Sequence, residues 1–211
     1  MSEQTFSRSY HSELRAEQAQ RTRERIMQAA AHEFGTSGYQ ATTMAAIARS
    51  AGVSTETVKA AGSKAELLIR SFETVFALQE GADSLADSPA AAGLLDARES
   101  TVLNAVIDVI ASANARSRRL WTQLVAASLS DRLVDQALQR LLASRRRDYR
   151  LLVDELDARG LVRPDVDAEL AAAELSFLMS PEGYQQLVDQ TGWTETRYRE
   201  WLTAAVRRTI G

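Results

Sequence analysis

The chain has 211 residues, of which 45% are apolar, and a formal net charge of −3. This length and composition are those of a globular protein with one large domain or two small ones. The absence of cysteine excludes disulfides and zinc–thiolate sites, and two histidines, His11 and His32, are poor material for a metal site. We therefore expect neither metal nor cofactor.

The first ten residues, MSEQTFSRSY, are polar and contain no apolar run. No stretch of the chain approaches the ~20 apolar residues of a membrane span, and no secretory signal is present. We expect a cytoplasmic protein without a membrane partner.

Ala, Leu, Arg and Glu dominate the composition, prolines number only three and strand-type runs are absent. These features predict an all-α fold with about nine helices. Residues 1–14 are predicted to form a disordered N-terminal arm. A first amphipathic helix is predicted from about 15 to 36, with Gly38 as its stop signal.

A helix-turn-helix is predicted next. Thr42-Thr43 caps a short helix over 44–51, and Gly52 supplies the positive φ of a tight turn between helices. Ser54 is a good N-cap for a second helix over 55–61, which ends at Gly62. Ser63 and Glu66 then form a capping-box pattern that opens a helix to about residue 79.

The remaining segments follow the same signals. Residues 81–97 are rich in Gly, Ser and Ala and are predicted to be a loop. Helices are predicted over about 97–114, 117–129, 131–159 and 166–179. A short piece runs from Ser180 to Gly192, and a final helix starts at Thr194.

Charge is distributed unevenly along the chain. Residues 1–64 hold eight Lys and Arg against six Glu, a net charge of +2, whereas residues 65–211 hold 17 against 22, a net charge of −5. A mildly basic first part joined to an acidic remainder is typical of a nucleic-acid-binding domain attached to a regulatory domain.

The pattern over residues 21–70 resembles the DNA-binding domain of the TetR (tetracycline repressor) family. The matching residues include Phe34, Gly38-Tyr39, Thr42-Thr43, Ala51-Gly52-Val53-Ser54 and Ser63-Lys64-Ala65-Glu66. Where this chain has Lys59, the family usually has a Tyr whose hydroxyl donates a hydrogen bond to a DNA phosphate. The family also usually has a Phe that fills the small core, shortly before the Ser-Lys. Here the segment is one residue shorter and lacks aromatic residues.

The resemblance implies a DNA interface around the second short helix. Its candidates are Thr42, Thr43, Ser54, Thr55, Glu56, Thr57, Lys59 and Lys64. The alternative is that the threonines only cap helices and that the charged groups form a solvated face. Lys59 would supply the phosphate contact as a point charge.

Two further sets of residues are candidates in the second part of the chain. An effector pocket would be lined by Phe72, Phe76, Trp121, Leu124 and Phe177, although such spacing is more often that of a plain core. A dimer interface on the last two long helices would contain Leu170, Ala173, Phe177, Trp201, Leu202, Ala205 and Val206. The alternative is packing within one subunit.

Together these features predict a homodimeric transcriptional regulator, a ligand-responsive repressor that binds a palindromic double-stranded DNA operator. Residues 15–64 would read DNA, and residues 65–211 would bind a small-molecule effector and dimerise. The alternative is a helical, dimeric interaction protein that has lost DNA reading. An enzyme is not expected, because both histidines lie before residue 33 and no Gly-rich phosphate loop is present.

Overall fold

A computed structural model describes residues 3–81, 84–86, 88–89, 91–94 and 98–211, with the backbone alone for residues 3–14, 99 and 100. All regular structure in these residues is helical, which confirms the predicted all-α fold. The helices are α1 (Glu3–Ser37), α2 (Met44–Ala51), α3 (Thr55–Ala61), α4 (Lys64–Ala77), α5 (Glu99–Ser128), α6 (Arg132–Ala158), α7 (Ala168–Leu178), α8 (Pro181–Tyr184) and α9 (Glu195–Ile210). A π-helical segment, Gln185–Gln190, follows α8 directly.

Two predicted boundaries differ from the structure. Helix α1 begins at Glu3, so the disordered arm predicted over 1–14 is wrong for residues 3–14; residues 1–2 lie outside the described residues. No glycine or proline precedes Gly35, so nothing in the sequence interrupts the helix. Likewise α5 is one helix from Glu99 to Ser128, where two helices were predicted over 97–114 and 117–129, and Ser117 Oγ donates to the Ala113 carbonyl at 2.8 Å within it.

The apolar side chains form two cores, and α5 and α6 contribute to both. The first core joins α1–α4 to the C-terminal half of α5 and the N-terminal half of α6. The second core joins the other halves of α5 and α6 to α7, α8 and α9. With 30 residues, α5 is about 45 Å long, enough to reach through both cores. The boundary predicted at 64/65 is therefore crossed by continuous packing.

No helix in the described ranges is long and apolar enough to span a membrane. The predicted loop over 81–97 lies partly outside the described residues. Its described positions form turns between α4 and α5, and Ser84 and Ser88 are buried there.

An ion-pair cluster fixes the C-terminal end of α4 against α1. Arg23 of α1 donates its Nε to Glu80 Oε2 at 2.8 Å, and its Nη2 to the other carboxylate oxygen. Arg70 Nε of α4 lies 3.7 Å from the same carboxylate. The hydrogen bond from Arg23 lowers the pKa of Glu80, with a further contribution from the charge of Arg70.

We predict that Glu80→Gln lowers the free energy of unfolding by about 0.5–1 kcal/mol at pH 7, a small value because the pair is partly exposed. A depressed carboxylate pKa stabilises the fold above the ordinary pKa of Glu, and this contribution disappears as pH falls through the folded-state pKa. The difference between wild type and variant should therefore be constant above about pH 5 and vanish in acid. Urea unfolding at several pH values measures it, with Glu17→Gln, an exposed site on α1, as control. A difference independent of pH would contradict the assignment.

Candidate nucleic-acid interface

The turn between α2 and α3 has the geometry that its glycine predicts. Gly52 has φ 63° and ψ 41°. Its amide donates to Arg49 O at 3.2 Å and the Val53 amide donates to Ala48 O at 3.0 Å, the two bonds of a Schellman motif. Arg25 of α1 adds bonds from Nε to Ala51 O at 3.1 Å and from Nη2 to Gly52 O at 3.0 Å. This guanidinium satisfies the C-terminal carbonyls of α2 and compensates their partial negative charge.

Helix α3 is anchored on one side and open on the other. Ser54 Oγ accepts from the Thr57 amide at 3.1 Å, which confirms the predicted N-cap, and Val58 is completely buried. Glu56 and Lys59 are exposed and Thr55 is half-buried. In the described ranges of the chain, none of these three side chains has a hydrogen bond or ion pair to another residue. They are the groups that this helix leaves available to a ligand.

The short connection from α3 to α4 is held by polar contacts where the resembling pattern has an aromatic residue. Gly62 has φ 150°, a value that favours glycine, and its amide donates to Lys59 O at 3.3 Å. Arg70 Nη1 donates to Ala61 O at 2.8 Å. The predicted capping box is confirmed, with Ser63 N to Glu66 Oε2 at 2.7 Å and Glu66 N to Ser63 Oγ at 3.3 Å.

Thr42 and Thr43 have different roles. Thr43 is exposed and its Oγ1 accepts from the Ala46 amide at 3.1 Å, as an N-cap of α2. Thr42 is only 2% exposed and donates to Gly38 O at 2.7 Å, with Glu33 O at 3.1 Å. The prediction of a Thr42 contact to DNA is therefore wrong for its side chain, because the hydroxyl faces inward to satisfy carbonyls at the end of α1.

Lys64 also has partners within the chain. Its Nζ donates to Gln40 O at 3.1 Å and lies 4.7 Å from the centroid of the Tyr39 ring. Partial burial lowers the pKa of Lys64. An intramolecular cation–π contact explains a lysine at the N-terminus of α4 without a phosphate. Lys64 remains a candidate only if DNA displaces these contacts.

Tyr39 joins the turn after α1 to the connection between α5 and α6. Its hydroxyl donates to Asp131 Oδ2 at 2.9 Å, and its amide donates to Gln123 Oε1 at 2.8 Å. Asp131 also caps α6, since Oδ1 accepts from the Leu133 amide at 3.0 Å. Burial, together with the hydrogen bond to Asp131, raises the pKa of Tyr39 to about 12.

We predict that Tyr39→Phe lowers the free energy of unfolding by about 1.5–3 kcal/mol, the usual contribution of a hydrogen bond to a charged acceptor. The ring, and with it the contact to Lys64, is retained. A double-mutant cycle with Asp131→Asn, followed by urea unfolding, isolates the pair. Purely additive effects of the two substitutions would show that the bond contributes nothing.

A cavity of about 280 Å³ lies between the two cores, lined by α4, α5, α6 and by residues of the turns before α5, namely Ser84, Leu85, Ala86, Ala91 and Leu94. Phe72, Phe76 and Trp121, three of the residues predicted to line an effector pocket, do line this cavity. Two other pocket candidates do not belong there. Leu124 is fully buried in the first core, and Phe177 is 77% exposed on α7. A helical apolar stripe does not reveal which of its members faces the cavity.

An open groove between α7 and α9 contains part of the predicted dimer surface. Leu170 is 60% exposed and Phe177 is 77% exposed, and Ala173 is also at the surface. Leu202, Ala205 and Val206 are at most 4% exposed. Leu202 and Val206 belong to the chain's own second core, so their assignment to an interface is wrong, while Ala205 forms the floor of the groove.

Trp201 is half-buried and contacts the rings of Trp193 and Tyr198, at centroid distances of 6.0 and 6.1 Å. It belongs to an intramolecular aromatic cluster. Among the described side chains, no group of three His, Asp or Glu residues is arranged to hold a metal ion.

Sequence reasoning missed Arg25 and Arg70, which close the ends of α2 and α3. Both donors lie inside other helices, Arg25 in α1 and Arg70 in α4, so each pairing follows from tertiary structure. The capping residues were found because their partners lie within three positions of them.

Comparison with known proteins gives a match in this same region. Residues 26–70 match the family of bacterial regulatory proteins called the tetR family. The matched segment contains the end of α1, all of α2 and α3 and the first half of α4. No curated protein matches the chain in sequence.

Solved structures show the same fold over nearly the whole chain. A protein from Rhodococcus sp. assigned to the TetR-family transcriptional regulators has a TM-score of 0.71 at 16% identity, covering 91% of this chain and 100% of that one. A protein from Saccharomonospora viridis assigned as a transcriptional regulator and solved with choline has a TM-score of 0.69 at 18% identity, covering 89% and 96%. The fatty acid degradation regulator FadR from Bacillus halodurans has a TM-score of 0.69 at 16% identity, covering 89% and 99%.

Proposed function

We propose that this chain, whose residues 26–70 match the tetR family of bacterial regulatory proteins and whose fold is shared with solved TetR-family regulators, acts as a cytoplasmic, homodimeric repressor that releases a palindromic operator when a small molecule binds. Members of the family are DNA-binding transcription regulators and not enzymes. The observation that carries the proposal is α3: a short helix fixed by a Schellman turn, with Thr55, Glu56 and Lys59 directed away from the core.

These outward groups suit the major groove. Thr55 can donate to or accept from a base edge, and Glu56 can accept from the amino group of cytosine. Lys59, without a partner in the described residues, is a phosphate ligand. Thr43 and Ser54 add capping hydroxyls at the same surface, and Thr57 adds a hydroxyl that lies 2.9 Å from Ser54 Oγ. We assign Thr42 no contact with DNA.

A single copy of α3 gives little specificity. Seven residues span about 10 Å, so one helix contacts only a few base pairs. Two copies related by a two-fold axis would read an inverted repeat. We place that axis at the groove between α7 and α9, where Leu170, Ala173 and Phe177 leave an apolar surface uncovered.

Helix α4 connects the cavity to the reading helix. Its N-terminus is fixed to the end of α3 by Gly62, Ser63 and the Arg70 bond to Ala61. About two and three turns after Lys64, the first residue of α4, Phe72 and Phe76 line the cavity. A ligand that favours another position of these rings would shift α4 and change the spacing of the paired reading helices. The shift in DNA affinity is limited by the difference in ligand affinity between the two states.

The test is selection of bound fragments from sheared genomic DNA, followed by titration of the most enriched fragment at two salt concentrations. The proposal predicts an inverted repeat whose affinity falls steeply with salt, since each phosphate contact releases counterions. A folded dimer that enriches no sequence would instead support the alternative, an interaction protein without DNA reading.

A further inference from the structure

The cavity is small, and one of its walls is aromatic. The rings of Phe72 and Phe76 stack with centroids 5.3 Å apart and an interplanar angle of 12°, and Trp121 lies 5.7 Å from Phe72. Val109 and Ile110 of α5 continue the apolar lining. A volume of about 280 Å³ is close to the lower end of the range of ligand-binding pockets. The cavity therefore fits one small, largely apolar or aromatic molecule.

Several polar groups of the wall have hydrogen-bond partners within the protein, whereas one buried donor, on Arg145, has none among the described residues. Asp148 accepts from Ser84 Oγ at 2.7 Å, and Asn114 Nδ2 donates to Met179 O at 2.9 Å. Arg145 of α6 donates its Nη2 to Ser176 O of α7. Its Nε is buried and has no hydrogen-bond acceptor among the residues that the structure describes.

An unpaired N–H of a buried guanidinium needs an acceptor, and an anionic acceptor satisfies it best. We infer that the cavity binds a small aromatic or apolar monocarboxylate, whose carboxylate accepts a hydrogen bond from Arg145 Nε. A cationic ligand would leave Arg145 Nε without a hydrogen-bond acceptor and would lie close to the positive charge of the guanidinium. Asp148, one turn away on α6, opposes an anion, but its carboxylate already accepts from the turn that covers the cavity.

This inference rests on the proposed ligand response, and binding can be measured without DNA. The probes are 4-phenylbutanoate, 4-phenylbutan-1-ol and 4-phenylbutylamine, which share one apolar body. Isothermal titration of the full chain should show the carboxylate binding about tenfold or more tightly than the alcohol, and the amine most weakly. Equal affinities, a preference for the amine, or no carboxylate binding would overturn the inference.

Substitution of Arg145, the proposed carboxylate ligand, provides a second test. Arg145→Gln should lower the affinity for 4-phenylbutanoate about tenfold or more and leave that for the alcohol nearly unchanged. The matched control is Arg146→Gln, an exposed neighbour that does not line the cavity. Unchanged carboxylate binding in Arg145→Gln would contradict the assignment. Should loss of the Ser176 contact unfold that variant, Val109→Trp must abolish carboxylate binding with Arg145 intact, and the order of the three probes still decides.

The outcome is separable from the proposed function. Arg145-dependent carboxylate binding without an effect on DNA affinity would support this inference and remove the ligand response. Salt-dependent operator binding by a chain that prefers the alcohol or the amine would support the DNA-reading function and overturn the inference.

Discussion

Phe177→Asp is expected to convert the protein from a dimer to a monomer at micromolar concentration. Phe177 is 77% exposed on α7, and Leu170, also exposed, lies two helical turns before it on the same groove. In a two-fold interface each substitution acts twice, and loss of a central aromatic residue costs about 2–4 kcal/mol. The dimer dissociation constant should rise at least about a thousandfold. Sedimentation equilibrium measures it directly.

The matched control is Leu129→Asp, because Leu129 is 88% exposed at the end of α5, outside the groove. This variant should remain dimeric. The Phe177→Asp monomer should keep its helical content, since the side chain contributes little to either core. A stable dimer in Phe177→Asp, or a monomer in both variants, would show that the α7–α9 groove is not the interface.

Lys59→Ala is expected to weaken operator binding by about tenfold to a hundredfold, through loss of one phosphate contact in each protomer. The slope of log affinity against log salt should fall by about two for the dimer. Discrimination between operator and unrelated DNA should change little, because a phosphate contact carries no sequence information. Fluorescence anisotropy at four salt concentrations gives both quantities.

Arg146→Ala, which removes an exposed cation from the middle of α6, is the control for net charge. It should leave both the affinity and the salt slope nearly unchanged. If Lys59→Ala binds DNA as wild type does, Lys59 is not a phosphate ligand. If its specificity collapses while the slope is retained, Lys59 contacts a base instead.

The features that sequence predicted correctly are those with local causes. Gly52 forms its turn because only a residue tolerant of positive φ ends α2 in this way, and the partner carbonyls lie within five positions. The same holds for the cap at Ser54 and for the capping box of Ser63 and Glu66. These short-range bonds define the helix-turn-helix without knowledge of the rest of the fold.

The errors arise where the outcome depends on long-range packing. Thr42 is predicted to cap α2 with Thr43, but the return of the chain after Gly38 directs its hydroxyl to the carbonyls of Glu33 in α1 and of Gly38 just after it. Phe177 and Leu202 both lie on apolar stripes, and periodicity cannot say that one is exposed and the other buried. The Arg145 donor had no signal beyond a run of three arginines, because its isolation follows from how α6 meets α7 and the cavity.

Hydroxyl-radical footprinting on the most enriched genomic fragment shows whether paired α3 helices bind DNA. A dimer of this kind should protect two half-sites of inverted sequence on one face of the duplex, with centres one helical turn, about 10 base pairs, or a multiple of it apart. Both half-sites should lose protection together in Phe177→Asp. A single protected segment, or uniform protection that does not depend on sequence, would contradict a dimer that reads DNA with paired α3 helices.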